Sequence, residues 1–407
     1  MEEWKEYRLE ELTIGKGEYG IGASAVPFDS SKYTYLRITD INDDGTLNKQ
    51  NLMSVDDINA CNYILQKNDI VFARTGNSTG RSYFYDGSDG VLIYAGFLIK
   101  FSIDDNKVNP RILKYYTHSK PYFDWVHSFD TGGTRGNINA KTYGTMPIIL
   151  PSRKIQDKIV SILKSFDDKI ELNRRINENL EQQAQTLFKS WFVDFNPFKD
   201  GKFIDSELGM IPEGWKVGTL SDIANVTMGQ SPKGISYNEN GEGIVFYQGR
   251  ADFGNRYPSI RLFTTEPTRY ADPFSVLLSV RAPVGDINIA VEKCCIGRGL
   301  ASIDSKTGHQ SFVLYTMFSL KKELDKFNSE GTVFGSINRS SIENLKIVIP
   351  PINVMDKFEH LVSKIDDMLL NLFQETTRLA QLRDILLPRF MSGELIITDI
   401  VDKNLSE

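Results

Sequence analysis

The side chains best equipped for covalent or metal chemistry are scattered along this chain. Four histidines, at 118, 127, 309 and 360, have neither i, i+4 spacing nor a cysteine pair beside them, which predicts no zinc-type ligand set. Of three cysteines, Cys294 and Cys295 are adjacent, a spacing that suits neither a metal knuckle nor a disulfide framework. Gly15-Lys16-Gly17 lacks the leading glycine and the hydroxyl residue of a phosphate loop, and so argues against ATP hydrolysis. Asn196-Pro197-Phe198-Lys199 is one proline short of the tetrapeptide with which amino-methyltransferases grip a flipped base. No Gly-x-Ser-x-Gly elbow is present. The carboxylate pairs Asp167-Asp168 and Asp366-Asp367 sit beside apolar helical seams, where charge is expected on a solvated face rather than in catalysis. These residues together predict a chain that performs no chemistry.

The elements that must position any functional residue follow from pattern. With 407 residues, 41% of them hydrophobic and 25% charged, the chain can bury more than one core. It also repeats itself once. Thr134-Arg135-Gly136-Asn137-Ile138-Asn139 through Pro151 matches Val333-Phe334-Gly335-Ser336-Ile337-Asn338 through Pro350. The same register carries Asp167-Asp168 onto Asp366-Asp367, while Trp4-Lys5 matches Trp215-Lys216 at a different offset. Between these anchors Ile70-Val71-Phe72-Ala73-Arg74 reads against Leu277-Leu278-Ser279-Val280-Arg281, which places Arg74 opposite Arg281.

Each half changes character at a proline. Short β-rich runs such as Tyr33 to Ile38, Ile70 to Ala73 and Val91 to Ile99 come first, separated by Gly, Asn, Asp and Ser clusters, with one helix expected at Arg111 to Phe129 and again at Gln310 to Phe327. After Pro151, apolar residues at Ile159, Leu163, Phe166, Ile170, Leu180, Ala184, Leu187 and Trp191 form a heptad seam interrupted at Asn173 and Asn177. The second copy repeats the seam from Phe358 through Leu386 until Pro388 stops it. The expected fold class is α+β: two tandem mixed, β-rich domains, each followed by a long helix, the helices packing as an antiparallel coiled coil with pseudo-two-fold symmetry. The expected boundaries are 1–150 and 212–349 for the domains, 151–195 and 350–390 for the helices, 196–211 for a linker and 391–407 for a tail. Asn173 and Asn177 at seam positions would fix the register of the helix pair.

The order of these elements, and the strings Leu187-Phe188-Lys189-Ser190-Trp191-Phe192-Val193-Asp194-Phe195, Gly209-Met210-Ile211-Pro212-Glu213-Gly214-Trp215 and Leu386-Leu387-Pro388-Arg389-Phe390-Met391-Ser392-Gly393-Glu394-Leu395, resemble the specificity (S) subunit of type I restriction-modification systems over essentially the whole chain. One departure is that the family's Glu-Gln after the boundary proline survives only as Gln156 and is absent around Met355. The resemblance implies that each domain reads one half of a bipartite double-stranded DNA target, while the helices set the spacer and dock partners. Those partners would be two methyltransferase (M) subunits and two restriction/translocase (R) subunits. S-adenosylmethionine, ATP and magnesium would sit on the partners and none on this chain. The net charge of −6 is compatible with DNA binding if partners supply much of the phosphate contact. No basic-then-apolar leader opens the sequence, and its longest apolar stretch falls far short of the ~20 residues that span a bilayer; a cytoplasmic protein without a membrane partner is expected.

On this reading, base edges would be read by donor and acceptor side chains on exposed loops. In the first domain the candidates are Tyr19, Ser24, Arg37, Arg74, Thr75, Asn77, Arg81, Thr134, Arg135, Asn137 and Lys141; in the second they are Gln230, Ser231, Lys233, Gln248, Arg250, Arg281, Arg298 and Arg339. Trp191, Phe192 and Phe195 are candidates for a methyltransferase contact, against the alternative that they seal the local core. A scaffold holding two protein-binding heads on a coiled coil is the competing function.

Overall fold

The structure, a computed structural model, describes residues 4–130, 136–328 and 335–395. It divides into two compact units, Met1–Glu171 with Thr376–Glu407, and Leu172–Glu375. Each unit holds one domain together with a stretch of both long helices.

In unit 1 the chain enters and leaves the domain through one antiparallel strand pair, Lys5–Arg8 with Pro147–Leu150, in which Lys5 faces Leu150. Unit 2 repeats the pair with Lys216–Thr219 and Lys346–Ile349, Lys216 facing Ile349. The two different offsets seen in the sequence therefore meet in a single ladder, whose register is the same in both copies. Beyond it each domain builds two sheets. One is antiparallel and four-stranded: Glu18–Tyr19, Leu98–Ser102, Asp69–Ala73 and Ser82–Tyr85 in unit 1, and Ala224–Met228, Leu300–Ser305, Val276–Ser279 and Ile287–Ile289 in unit 2, in those spatial orders. The other is mixed, with four strands in unit 1 and five in unit 2, and contains one parallel pairing in each case.

Several sequence expectations need correction. The apolar run Val91 to Ile99 is not one strand: Gly96 lies in a turn between Leu92–Tyr94 and Leu98–Ser102, which leaves Phe97 exposed. The helix expected at Arg111 to Phe129 is two, Pro110–Tyr116 and Lys120–His127. Pro121 lies in the first turn of the second of these, where its missing N–H costs no helical bond. The matching stretch of unit 2 is also broken, into Gln310–Ser319 and Lys321–Lys326.

The long helices are Arg153–Phe192 and Ile352–Met391, 40 residues each, or about 60 Å. Pro388 does not stop the second one. Leu387, Phe390 and Met391 are buried in the unit 1 core with Ile159 and Leu163, and that packing holds the last turn past the proline. In unit 1, Arg383 reaches Asp167; in unit 2, Asn173 reaches Glu375 and Phe188 meets Phe358. Partner numbers fall as helix numbers rise, so the helices pair antiparallel. Asn173 is fully buried and donates Nδ2–H to Glu375 at 2.8 Å, a polar contact of the kind that pins register in an apolar seam. On the first helix the buried apolar positions in unit 2 are Ala184, Phe188 and Phe192, one turn apart, the last two offset from the expected Leu187 and Trp191.

Asp167 and Asp366 also depart from expectation. Neither lies on a solvated face, although the adjacent Asp168 and Asp367 are exposed. Asp167 accepts from Lys114, Tyr115 and Arg383 at 2.7 to 3.1 Å. Asp366 accepts from Ser311 at 2.6 Å, from Tyr315 at 3.1 Å and from Arg256, which also pairs with Glu181. Both carboxylates fasten a long helix to the domain of its own unit.

Candidate nucleic-acid interface

In unit 1 the strand Asp69–Ala73 pairs with Leu98–Ser102 up to Ala73 and Leu98. One residue further the backbone of Arg74 is fixed on both sides: its N–H donates to Phe97 O at 3.1 Å, and its carbonyl accepts from Ile138 at 2.9 Å. The Arg74 guanidinium lies over two rings, 5.3 Å from the centroid of Tyr19 and 5.9 Å from that of Phe97, within cation–π range. The Tyr19 hydroxyl accepts from the backbone N–H of Ala140 at 3.1 Å, and Thr79 donates to Gly136 O. Four chain segments thus converge around Arg74: the loop holding Thr75 and Asn77, strand residue Tyr19, the Phe97 turn, and the segment with Asn137 and Lys141. Thr134 and Arg135 lie outside the described residues. Ser24 is exposed just before the strand Ala25–Pro27.

Arg37 and Arg81 are engaged elsewhere. Arg37 makes a forked contact with buried Asp40, Nε at 2.8 Å and Nη2 at 2.6 Å. Arg81 pairs with Asp43 and donates to Ile41 O. Both fasten loops of the second sheet.

Unit 2 builds the same crossing. Ser279 pairs with Leu300, Val280 N–H donates to Gly299 O at 2.9 Å, and Ile337 N–H donates to Val280 O at 3.1 Å. Val280 therefore occupies the place of Arg74, and Gly299 that of Phe97. Arg281 corresponds to Thr75, so the match of Arg74 with Arg281 read from the sequence is one residue out of register. A one-residue slip in an extended segment reverses the side-chain direction: Val280 is buried, Arg281 exposed. Beside the Val280–Gly299 crossing, which Arg281 follows, the turns bring Gln230, Ser231, Gln248 and Arg298 together. Gln230 N–H donates to Ile296 O, Arg298 N–H donates to Ser231 Oγ at 3.3 Å, and Gly297 and Gly299 both pack on the Gln248 carbonyl. Arg250 and Arg339 are ion-paired with Asp286 and Glu343, and Lys233 lies 3.9 Å from Glu266.

Glycine makes the close approach possible at one equivalent position in each unit. A Cβ on Gly20 would sit 2.3 Å from the Ala95 carbonyl, and one on Gly229 2.2 Å from that of Gly297, so neither tolerates a side chain.

The three aromatic candidates for a partner pack within unit 2. Phe192 is buried against Phe312 and Phe358, Trp191 lies on Phe358, and Phe195 meets Trp215 edge-on. The structure thus gives these rings to the chain's own core. Among the described residues no cluster of His, Cys, Asp and Glu could hold a metal ion, and no helix is long and apolar enough to cross a membrane.

Phe97 is the residue that sequence reasoning missed. Its signal was available in part: Gly96, an isolated glycine inside a strand-like run, points to a break or bulge at that position rather than one continuous strand.

The sequence profile described as the type I restriction modification DNA specificity domain matches twice, over residues 1–182 and 212–381. The type I restriction enzyme MjaX specificity subunit, assigned in Methanocaldococcus jannaschii, is 34% identical over 351 residues, covering 84% of this chain and 82% of that one. The type I restriction enzyme HindI specificity subunit of Haemophilus influenzae is 24% identical over 97% of this chain and all of its own length. Among solved structures, the type I restriction-modification S subunit from M. genitalium superposes with a TM-score of 0.60 at 17% identity, covering 96% of each chain. With two domain matches that together span most of its length, the chain belongs to the family of type I restriction-modification specificity subunits.

Proposed function

We propose that this chain is the DNA-reading subunit of its complex, with the Arg74 cluster reading one half of a bipartite double-stranded target and the Arg281 cluster reading the other. The long helices set the spacer between half-sites and dock two methyltransferase subunits, and two restriction/translocase subunits complete the nuclease. The chain itself performs no chemistry; S-adenosylmethionine, ATP and magnesium belong to the partners, and the assembly works in the cytoplasm, where the DNA is. The observation that carries this reading is the recurrence of one backbone crossing, Arg74–Phe97–Ile138 and Val280–Gly299–Ile337, with different polar side chains displayed on it. A shared frame with divergent side chains is what two readers of different sequences require.

A domain exchange tests it. Replacing Trp4 to Leu150 with the equivalent span of another specificity subunit should change one half of the methylated motif in the host and leave the other half unaltered. A change in both halves would refute independent readers, and no change in a folded, assembling hybrid would favour a protein-binding scaffold.

A further inference from the structure

We propose that Arg74 is a pre-set guanine reader, held by Tyr19 and Phe97 as positioning residues, so that the half-site read by the first domain contains a guanine recognised on its major-groove edge. This rests on the DNA-reading function above and deepens it. Among the other described arginines of that domain, Arg37, Arg81 and Arg111 each reach a carboxylate at 2.6 to 2.8 Å, and Arg8 lies on the entry strand opposite Pro147. Arg74 reaches none among the described residues, and its Nε is shielded from solvent without an acceptor. The terminal nitrogens are then the donors left for a ligand.

Their direction is fixed before DNA arrives. The backbone of Arg74 is bonded at both its N–H and its carbonyl, and the guanidinium lies over both ring faces. The Tyr19 ring is itself tied down through its hydroxyl to Ala140. A flexible arginine loses much of its rotamer freedom when it binds; here the frame removes that freedom in advance. A planar pair of donors held over two aromatic rings binds through its edge, which matches the O6 and N7 acceptors of guanine and no other base pair's major-groove pattern. Unit 2 has no such device at the equivalent crossing, where Val280 and Gly299 replace the arginine and the phenylalanine.

The test is selection of duplexes from a randomised DNA library by the full chain, alone and co-expressed with its methyltransferase subunits. Arg74→Lys keeps the charge and loses the fork. It should lower preference at one guanine of the first half-site by about tenfold or more, with every other position unchanged. Phe97→Ala should lower preference at that same guanine by a smaller factor, with recovery in Phe97→Tyr and none in Phe97→Leu, an outcome that a purely structural role for the side chain would not give. The Phe97 series also keeps the test decisive should Arg74→Lys fold poorly. Uniform loss across all sequences, or unaltered preference, in folded Arg74→Lys would overturn the inference while leaving the DNA-reading function standing. A wild-type chain that selects no sequence in either form would instead overturn that function.

Discussion

The two units fasten their long helices at equivalent carboxylates, yet supply the counter-charge from different places. Asp167 receives a tyrosine hydroxyl from Tyr115, as Asp366 does from Tyr315. The cations differ: Lys114 and Arg383 come from a domain helix and from the second long helix in unit 1, whereas Arg256 of unit 2 comes from the divergent middle of the domain. Burial would raise the Asp167 carboxyl, but Lys114 and Arg383 outweigh it and hold it below the usual range. Burial pushes Asp366 up, and Arg256, Ser311 and Tyr315 only partly offset it. A repeated fold thus keeps the position and the neutral hydroxyl of its anchor while changing the charge that completes it. The reader crossings diverge in the same way, with one backbone pattern and different side chains.

The largest effect should come from breaking the anchor that depends on a single cation. Arg256→Met leaves Asp366 and Glu181 in unit 2 without their shared counter-charge, at a cost of ~3–5 kcal/mol. Arg383→Met leaves Asp167 with Lys114 and Tyr115, and should cost ~1–2 kcal/mol. Denaturant unfolding, with hydrogen exchange to locate the opened segment, measures both. Equal losses would mean that the two anchors do not differ as their partners indicate.

These anchors show how much of the molecule was legible in the sequence. The repeat and the long helices were readable because period and register survive in the residues themselves: Trp4-Lys5 and Trp215-Lys216 return as one ladder position, and Asp167 and Asp366 share an offset. Their burial was not readable, because Lys114, Arg383 and Arg256 lie far off in sequence and no local pattern announces them. Gln156 illustrates the same limit. It is buried, accepting from Asn109 N–H and donating to Pro151 O, while Met355 takes the equivalent place as an apolar core residue. The candidate interface was partly legible, since loop arginines were identifiable by type. Which of them were already ion-paired depended on Asp40, Asp43, Asp286 and Glu343, and the one-residue slip between Arg74 and Arg281 depended on a strand register that the divergent middle of the repeat conceals.

Arg281 sharpens the comparison of the readers. It stands where unit 1 has Thr75, exposed, and forms an isolated antiparallel bridge with Ser336, and among the described residues no ring pair fixes its direction. Arg281→Ala should weaken binding to the specific sequence by ~1–3 kcal/mol if the contact is a fork to guanine, and should relax only the second half-site. Competition titrations against specific and scrambled duplexes read the difference. Equal loss on both would make Arg281 a phosphate contact and leave the second domain's specificity to Gln230, Gln248 and Arg298.

The smallest effect separates a feature that the units share from one they do not. Asn139 and Asn338 cap equivalent short helices, each accepting from the N–H three residues on at 2.9 Å. Replacing either by alanine should cost ~1 kcal/mol of stability, about equally in the two units. Their effects on DNA should differ. The helix that Asn139 caps begins at Ala140, whose N–H holds the Tyr19 hydroxyl and through that ring the Arg74 guanidinium, whereas the place of Tyr19 in unit 2 falls to Met228, which has no hydroxyl to anchor. Asn139→Ala should therefore reduce discrimination at the first half-site as well as stability, and Asn338→Ala should reduce stability alone. Thermal melts paired with library selection on the two variants check this, and matched losses of discrimination in both half-sites would show that the caps act on the fold and not through Tyr19.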